Sequence, residues 1–218
     1  MNPPPAPAET TADTAPPTAR AEATRARIEE TAERLFRTMS YQKTAVADIA
    51  RELGMSPANV YRFFASKSAI NEAIAQRLLG AISAELAAIA RGPGPASARL
   101  RLLMSTVFER QSTVFFAERR MHDMVAAAME EHWAVCERYI DFIEATIRQV
   151  IEDGVASGEF ARTDPALAAE NVMHAFIKWT HPVLVESCIL RKGETIELLR
   201  AQIAAMAEFV LGALRTRT

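Results

Sequence analysis

The sequence predicts an all-α protein of about nine helices, a small N-terminal helix-turn-helix domain followed by a larger C-terminal helical domain. Three observations carry the fold class. Apolar residues recur at steps of three and four through most of the chain, and no run alternates with period two. Only 8 glycines and 7% aromatics occur in 218 residues, too few for a β-rich fold with many tight turns. Half the residues are hydrophobic and 24% are charged, a balance that supports a packed core.

Residues 1–19 stand apart: proline, alanine and threonine dominate, and Glu9 and Asp13 are the only charges. Such a stretch buries no apolar area and reads as a flexible tail. From Arg20 the pattern is helical, with Ile28, Thr31, Ala32, Leu35 and Phe36 on one face. A short helix after Thr44 carries Val46, Ile49, Ala50 and Leu53 and stops at Gly54. Ser56-Pro57 is a start signal, serine as N-cap and proline at the first helical position, for a helix of about 56–62. Ser66 caps a fourth, 66–90, with Ile70, Ile74, Leu78, Ile82 and Leu86 in a stripe, ended by Gly-Pro-Gly-Pro at 92–95. Leu100, Leu103, Val107 and Phe108 mark the next, and Val114, Phe115 and Phe116 a short segment. Trp133, Cys136, Ile140, Ile143, Ile147 and Val150 run to Gly154. Asp164-Pro165 opens a helix through Trp179, which Pro182 must stop or kink near His181. Thr195 opens the last, with Leu199, Ile203, Met206, Val210 and Ala213 as its stripe.

Composition excludes several classes. Two cysteines rule out a disulfide scaffold and a multi-cysteine zinc module. No signal peptide is evident, and no unbroken apolar run approaches the ~18 residues of a membrane span, so the cytosol is the expected compartment. No GxSxG, HExxH, CxxC or glycine-rich phosphate loop occurs, which argues against an enzyme, and no cofactor is expected. The whole chain carries −2, but residues 20–79 hold ten basic and seven acidic residues, net +3. A small basic unit therefore precedes a mildly acidic body.

Inside that unit, the second and third helices have helix-turn-helix proportions. The second helix of such a pair meets base edges with its N-terminal residues. Here these are Ser56, Ala58 and Asn59, with Arg62 one turn on; Asn59 suits adenine and Arg62 suits guanine. Thr44, Tyr61 and Lys67 lie at element ends, placed to grip phosphates. Tyr61 could equally be buried, and Arg62 could be a solvated charge.

The stretch TAVADIARELGMSPANVYRFFASKSAI, Thr44 through Ile70, resembles the DNA-binding domain of TetR/AcrR-type transcriptional regulators. Thr44, Ala50, Gly54, Met55, Ser56, Tyr61, Phe63, Phe64, Ser66 and Lys67 carry the likeness. One departure stands out: Pro57-Ala58-Asn59 replaces the Lys-Gly-Thr of many members, which removes a lysine from the recognition helix. The resemblance implies residues 20–68 for DNA binding, with the fourth helix linking to a body of 69–218. It also implies a homodimer through the last two helices and a small-molecule effector held in the body. The expected function is that of a ligand-responsive DNA-binding regulator, a repressor acting on a pseudo-palindromic operator. The alternative is a helical interaction module with a degenerate DNA-binding unit.

One polar stripe in the body invites a ligand. Asn171, His174, Lys178 and His181 fall at steps of three and four beside Val172, Phe176 and Trp179. It is either a solvent-facing or interface stripe, or a pocket wall to which His122 and His132 add. A metal held by Glu170, His174 and His122 or Asp123 is a weaker idea, and Cys136 reads as a core thiol.

Overall fold

The computed structural model describes residues 17–112 and 134–215. Nine helices run through them: α1 Pro17–Met39, α2 Val46–Glu52, α3 Pro57–Tyr61, α4 Lys67–Ala90, α5 Ala96–Gln111, α6 Ala134–Ala156, α7 Pro165–Thr180, α8 Pro182–Lys192 and α9 Ile196–Leu214. No strand forms among the described residues; one antiparallel bridge joins Phe160 to Arg215. The segment at Val114–Phe116, Trp133 and residues 1–16 of the expected tail lie outside the described residues. Helix α1 starts at Pro17, inside the stretch read as flexible. Proline at a first helical position needs no N–H and is already set at helical φ, so the composition did not forbid this turn.

The starts and stops follow from side-chain chemistry. Gly54 sits at φ +66°, and its N–H reaches the Arg51 carbonyl at 3.2 Å while the Met55 N–H reaches Ala50 at 2.9 Å. That crossed pair is a Schellman stop, which needs a left-handed residue and therefore glycine. Ser56, Ser66, Asp164 and Thr195 each accept an N–H of the following turn. Such caps contribute about 1 kcal/mol apiece. Pro95 offers α5 no side-chain cap, and Glu159 takes over from 62 residues away, accepting Ala96 N–H at 2.6 Å and Ser97 N–H at 3.0 Å. Helix α7 stops at Thr180 and α8 begins at Pro182, with the extended residue His181 capping both.

Two hydrophobic clusters result. The first gathers Ile28, Ala32, Leu35 and Phe36 of α1 with Val46, Ile49, Val60, Phe64, Ile70 and Ile74. The second, the body, is built from α4 to α9 and begins at Leu79. Helix α4 belongs to both without a break. Its inner face changes cluster between Leu78, which is half-buried, and Leu79, so the small core extends ten residues beyond the boundary drawn at 68. By length and composition α4 is apolar enough to cross a membrane, a correction to the expectation that no stretch approaches that length. Its apolar residues Ile70, Ile74, Leu79, Ile82 and Leu86 are instead buried against other helices.

On α6 the buried stripe is Val135, Tyr139, Ile143, Ile147 and Val150. Cys136 is only partly buried and Ile140 is 49% exposed, a correction to their expected core placement. The expected stripe of α9 shifts in the same way: Leu199, Ile203, Ala207 and Leu211 are buried, Met206 and Val210 are half-buried against the same core, and Ala213 is exposed.

At Gly154, α6 packs tightly against Phe160 and the start of α5. A Cβ there would overlap the Phe160 ring and come within 2.9 Å of the Ala96 Cβ. Gly154→Ala should therefore lower stability by about 1–3 kcal/mol, the usual cost of overpacking, despite the better helix propensity of alanine. Urea denaturation checks this; an unchanged midpoint would mean that Phe160 moves aside without loss.

Candidate nucleic-acid interface and body cavity

Val46, Ile49 and Ala50 of α2 and Val60 of α3 are buried, so the two short helices are fixed on one core. The opposite side of α3 faces outward. Ser56, Ala58 and Arg62 are exposed, Tyr61 is 51% exposed, and Asn59 is half-buried with its amide 3.8 Å from the Met55 sulfur. Tyr61 is thus a surface residue, not a core one. The Ser56 hydroxyl is engaged as the N-cap of α3.

Thr44 does not match its expected role. It is 2% exposed and its hydroxyl donates to the Ser40 carbonyl at 2.8 Å, so the side chain closes the α1–α2 turn and faces away from solvent. Lys67 is half-buried for a related reason. Its ammonium donates to the carbonyls of Tyr41 at 2.9 Å and Thr44 at 3.2 Å and lies 4.3 Å from the Tyr41 ring centre. It fastens the first turn of α4 to the turn before α2. Sequence reading missed two features here. Lys43 and Gln42 are exposed next to the buried Thr44. Arg25 of α1 donates to the Phe63 carbonyl at 2.9 Å and lies 4.0 Å over the Phe64 ring, holding the segment after α3. A lysine immediately before a short helix was the available signal for Lys43; nothing in the spacing pointed to Arg25.

In the body, a cavity of about 130 Å³ lies among Leu79, Gln111, α6, the last turns of α7 and Pro182. Met173, Ile177, Thr180 and His181 form its α7 wall. The polar stripe is turned away from it, apart from His181. Asn171 and His174 are exposed. Lys178 pairs with Glu194 at 3.2 Å and donates to Gln202 at 2.7 Å, tying α7 to α9 and the loop before it. Of the two readings of the stripe, Asn171, His174 and Lys178 fit the surface and packing one, His181 alone lines the cavity, and the α7 wall otherwise lies one position round the helix. His122, His132 and Asp123 lie outside the described residues. Among the described residues, no group of three or more His, Cys, Asp or Glu stands together in a way that could hold a metal ion.

Three buried polar atoms at the cavity lack a hydrogen-bond partner among the described residues: Gln111 Oε1, the Tyr139 hydroxyl and His181 Nδ1. Burial pushes the Tyr139 hydroxyl up to about 12, and the neighbouring Gln111 amide pulls the other way. The phenol therefore stays protonated at any ordinary pH. Burial, then the charge of Glu137, also raises the Cys136 thiol, so the one cysteine at the cavity is held as a thiol.

The body has a second apolar feature on its outside. Val183, Leu184 and Leu190 of α8 are exposed, as are Leu198 and, at 75%, Phe209 of α9. The opposite flank of α9 is tied to α5 by Arg200–Glu109 and Arg101–Glu208.

Comparison with known proteins places these features. Residues 28–74 match the family model for bacterial regulatory proteins of the tetR family. Residues 96–195 match that for the tetracyclin repressor-like C-terminal domain. No curated protein matches the chain. Among solved structures, a TetR-family transcriptional regulator from Pectobacterium atrosepticum superposes with a TM-score of 0.70 at 19% identity, covering 91% of this chain and 97% of that one. A TetR/AcrR-family regulator from Thermobifida fusca gives 0.62 at 21% identity over 89% and 100%. The regulator FadR from Bacillus subtilis, solved with stearoyl-CoA, gives 0.63 at 15% identity over 87% and 99%. At these identities the likeness to the solved structures is one of fold.

Lys67→Met should unfasten the α1–α2 turn. Hydrogen bonds from a charged donor contribute about 1.5–3 kcal/mol, and a loss of that order is expected in chemical denaturation, with faster amide exchange at residues 41–48. A variant as stable as the parent would show that water replaces the ammonium at no cost.

Proposed function

Because the chain belongs to the TetR family of bacterial regulatory proteins, we propose that it is a ligand-responsive transcriptional repressor that binds a pseudo-palindromic operator as a homodimer. The observation that carries the DNA half of this reading is the outward face of α3, with Ala58, Asn59, Tyr61 and Arg62 presented by a helix pair fixed on its own core. Short residues at the N-terminal turn allow close approach to base edges, and Asn59 and Arg62 supply the donors and acceptors for adenine and guanine. Lys43, Tyr61 and the remaining donor of Lys67 flank them as phosphate contacts, in place of Thr44. Residues 20–68 are the DNA-binding unit in this reading, and 69–218 form the effector and dimerisation body.

One recognition helix reads few base pairs, and a twofold pair doubles the site. The exposed apolar faces of α8 and α9, with Val183, Leu184, Leu190, Leu198 and Phe209, supply the matching surface. Residues of this kind cost free energy in water and regain it against a second copy. The body cavity, lined on one side by α7 and reached by Leu79 of α4, is the effector site. An effector that favours one body conformation changes the spacing of the two α3 helices, and linkage requires operator DNA to weaken the effector equally.

Two experiments test the parts separately. Asn59→Ala should lose about 1–3 kcal/mol on the preferred operator alone. Lys43→Ala should weaken binding to all sequences alike and flatten the dependence of log K on log salt by about one. Both variants binding every sequence as the parent does would sink the DNA reading. Phe209→Glu should give monomers in sedimentation and lose operator binding, since the charge would be buried at the twofold contact; persistent dimers would place the contact elsewhere.

A further inference from the structure

The cavity carries more information than its position. Its volume, about 130 Å³, is enough for one molecule near the size of benzene, and it opens to the surface beside the exposed Ile140 and Ile177. Leu79, Ile140, Ile143, Met173, Ile177 and Pro182 give it apolar walls. No Lys, Arg, Asp or Glu lines it among the described residues, and the His181 imidazole at the α7–α8 junction is its one basic group, so no permanently charged side chain is there to offset the desolvation of a carboxylate, phosphate or ammonium.

Gln111 and Tyr139 are 5% and 8% exposed, neighbours of each other, and both present a polar atom without a partner. A buried amide and a buried phenol left open in this way are rare in folded proteins, and whatever occupies the cavity, water or ligand, gains by answering them. An acceptor alone would answer the Tyr139 hydroxyl and leave Gln111 Oε1 open. A hydroxyl answers both, donating to the amide oxygen and accepting from the tyrosine, and it also fits if the amide is turned the other way.

We propose, resting on the effector reading above, that the cavity takes a small uncharged monocyclic phenol, its ring among Ile140, Ile143, Met173 and Ile177 and its hydroxyl between Gln111 and Tyr139. A ring fills the space more completely than a short chain and makes favourable contact with the sulfur of Met173.

The test uses full-length protein and calorimetric titration with phenol, toluene and benzoate. Phenol and toluene have the same number of heavy atoms and differ in the hydroxyl alone. Phenol should bind at least about 10-fold more tightly than toluene, because toluene leaves both buried groups unpaired, and benzoate should not bind. Tyr139→Phe should narrow the phenol–toluene gap, Gln111 alone then answering the hydroxyl, through weaker phenol binding rather than tighter toluene binding, with the melting curve as a check on folding. The ligand series on the unaltered protein stands without that variant. Equal affinity for phenol and toluene, a preference for benzoate, or no phenol binding overturns the proposal. Operator release is then scored with each compound. Phenol that binds in the expected pattern but does not release operator sustains the ligand class and removes the effector reading. Operator released by benzoate or a long-chain acyl-CoA, with phenol inert, overturns the ligand class and leaves the effector reading standing.

Discussion

The structure depends on one shared element: a single unbroken helix must satisfy two hydrophobic cores. Helix α4 gives Ile70 and Ile74 to the small cluster and Leu79, Ile82, Leu86 and Ala90 to the large one. At 24 residues it is about 36 Å long, enough to cross both. The consequence is rigid registration. No flexible linker separates the units, so a rotation of α4 in the body is a rotation of α4 under the recognition helix. The cavity residue Leu79 sits at the handover, the first buried residue of α4 in the body cluster, with Ala75 one turn earlier packed against its edge.

The charges of the small unit follow from the same constraint. A core of twelve buried apolar residues is modest, and basic side chains reinforce it. Arg77 of α4 pairs with Glu29 and Glu33 of α1, Arg25 holds the Phe63 carbonyl, and Lys67 holds two carbonyls of the α1–α2 turn. The Arg77 pairs, exposed on the arginine side, contribute little individually, unlike the part-buried bonds of Lys67. The shared value of these contacts is geometric, since they fix α1 and the turn relative to α4 and so set the direction in which α3 faces. Arg25 and Arg77 stay exposed while so engaged, so part of the positive charge read from the sequence is committed within the unit although it lies at the surface.

What was legible in the sequence was what local chemistry decides. Gly54, Ser56-Pro57, Ser66, Asp164-Pro165, Pro182 and Thr195 mark starts and stops through hydrogen bonds made within a turn or two, and all appear where those residues stand. What was not legible was which of two adjacent helical positions faces inward. On α6 the expected Ile143, Ile147 and Val150 are buried while Cys136 and Ile140 give way to Val135 and Tyr139, and on α9 Leu199 and Ile203 hold while Ala207 and Leu211 take the places of Met206 and Val210. Each exchange is a rotation of about 100° over part of a stripe, because a helix packed on both sides has apolar residues on most of its circumference. On α7 the apolar face of Val172, Phe176 and Trp179 is buried as expected, and the cavity wall lies beside Asn171, His174 and Lys178 rather than on them. The open hydrogen-bonding atoms of Gln111 and Tyr139 belong to different helices and meet only in three dimensions. Thr44 was misassigned for the converse reason: a hydroxyl at an element end reads the same whether it turns to a phosphate or to the carbonyl four residues back.

The junction at His181 has a mechanical meaning. Between Thr180 and Pro182 one residue, extended at φ −96° and ψ 118°, is the only break in twenty-eight residues of helix from Pro165 to Lys192. Its N–H closes α7 on the Ile177 carbonyl, and its own carbonyl receives the Leu184 N–H that opens α8. The two helices consequently share a single elbow, and its side chain forms part of the cavity wall. Sliding is barred by the shared hydrogen bonds, so bending is the soft motion left. The arm beyond the elbow, α8, is 11 residues or about 16 Å long. A bend of ~5° would carry its far end roughly 1.4 Å sideways, a shift comparable to the clearance between packed side chains. A displacement at the cavity too small to disturb the core would thus arrive magnified at the apolar outer face of α8.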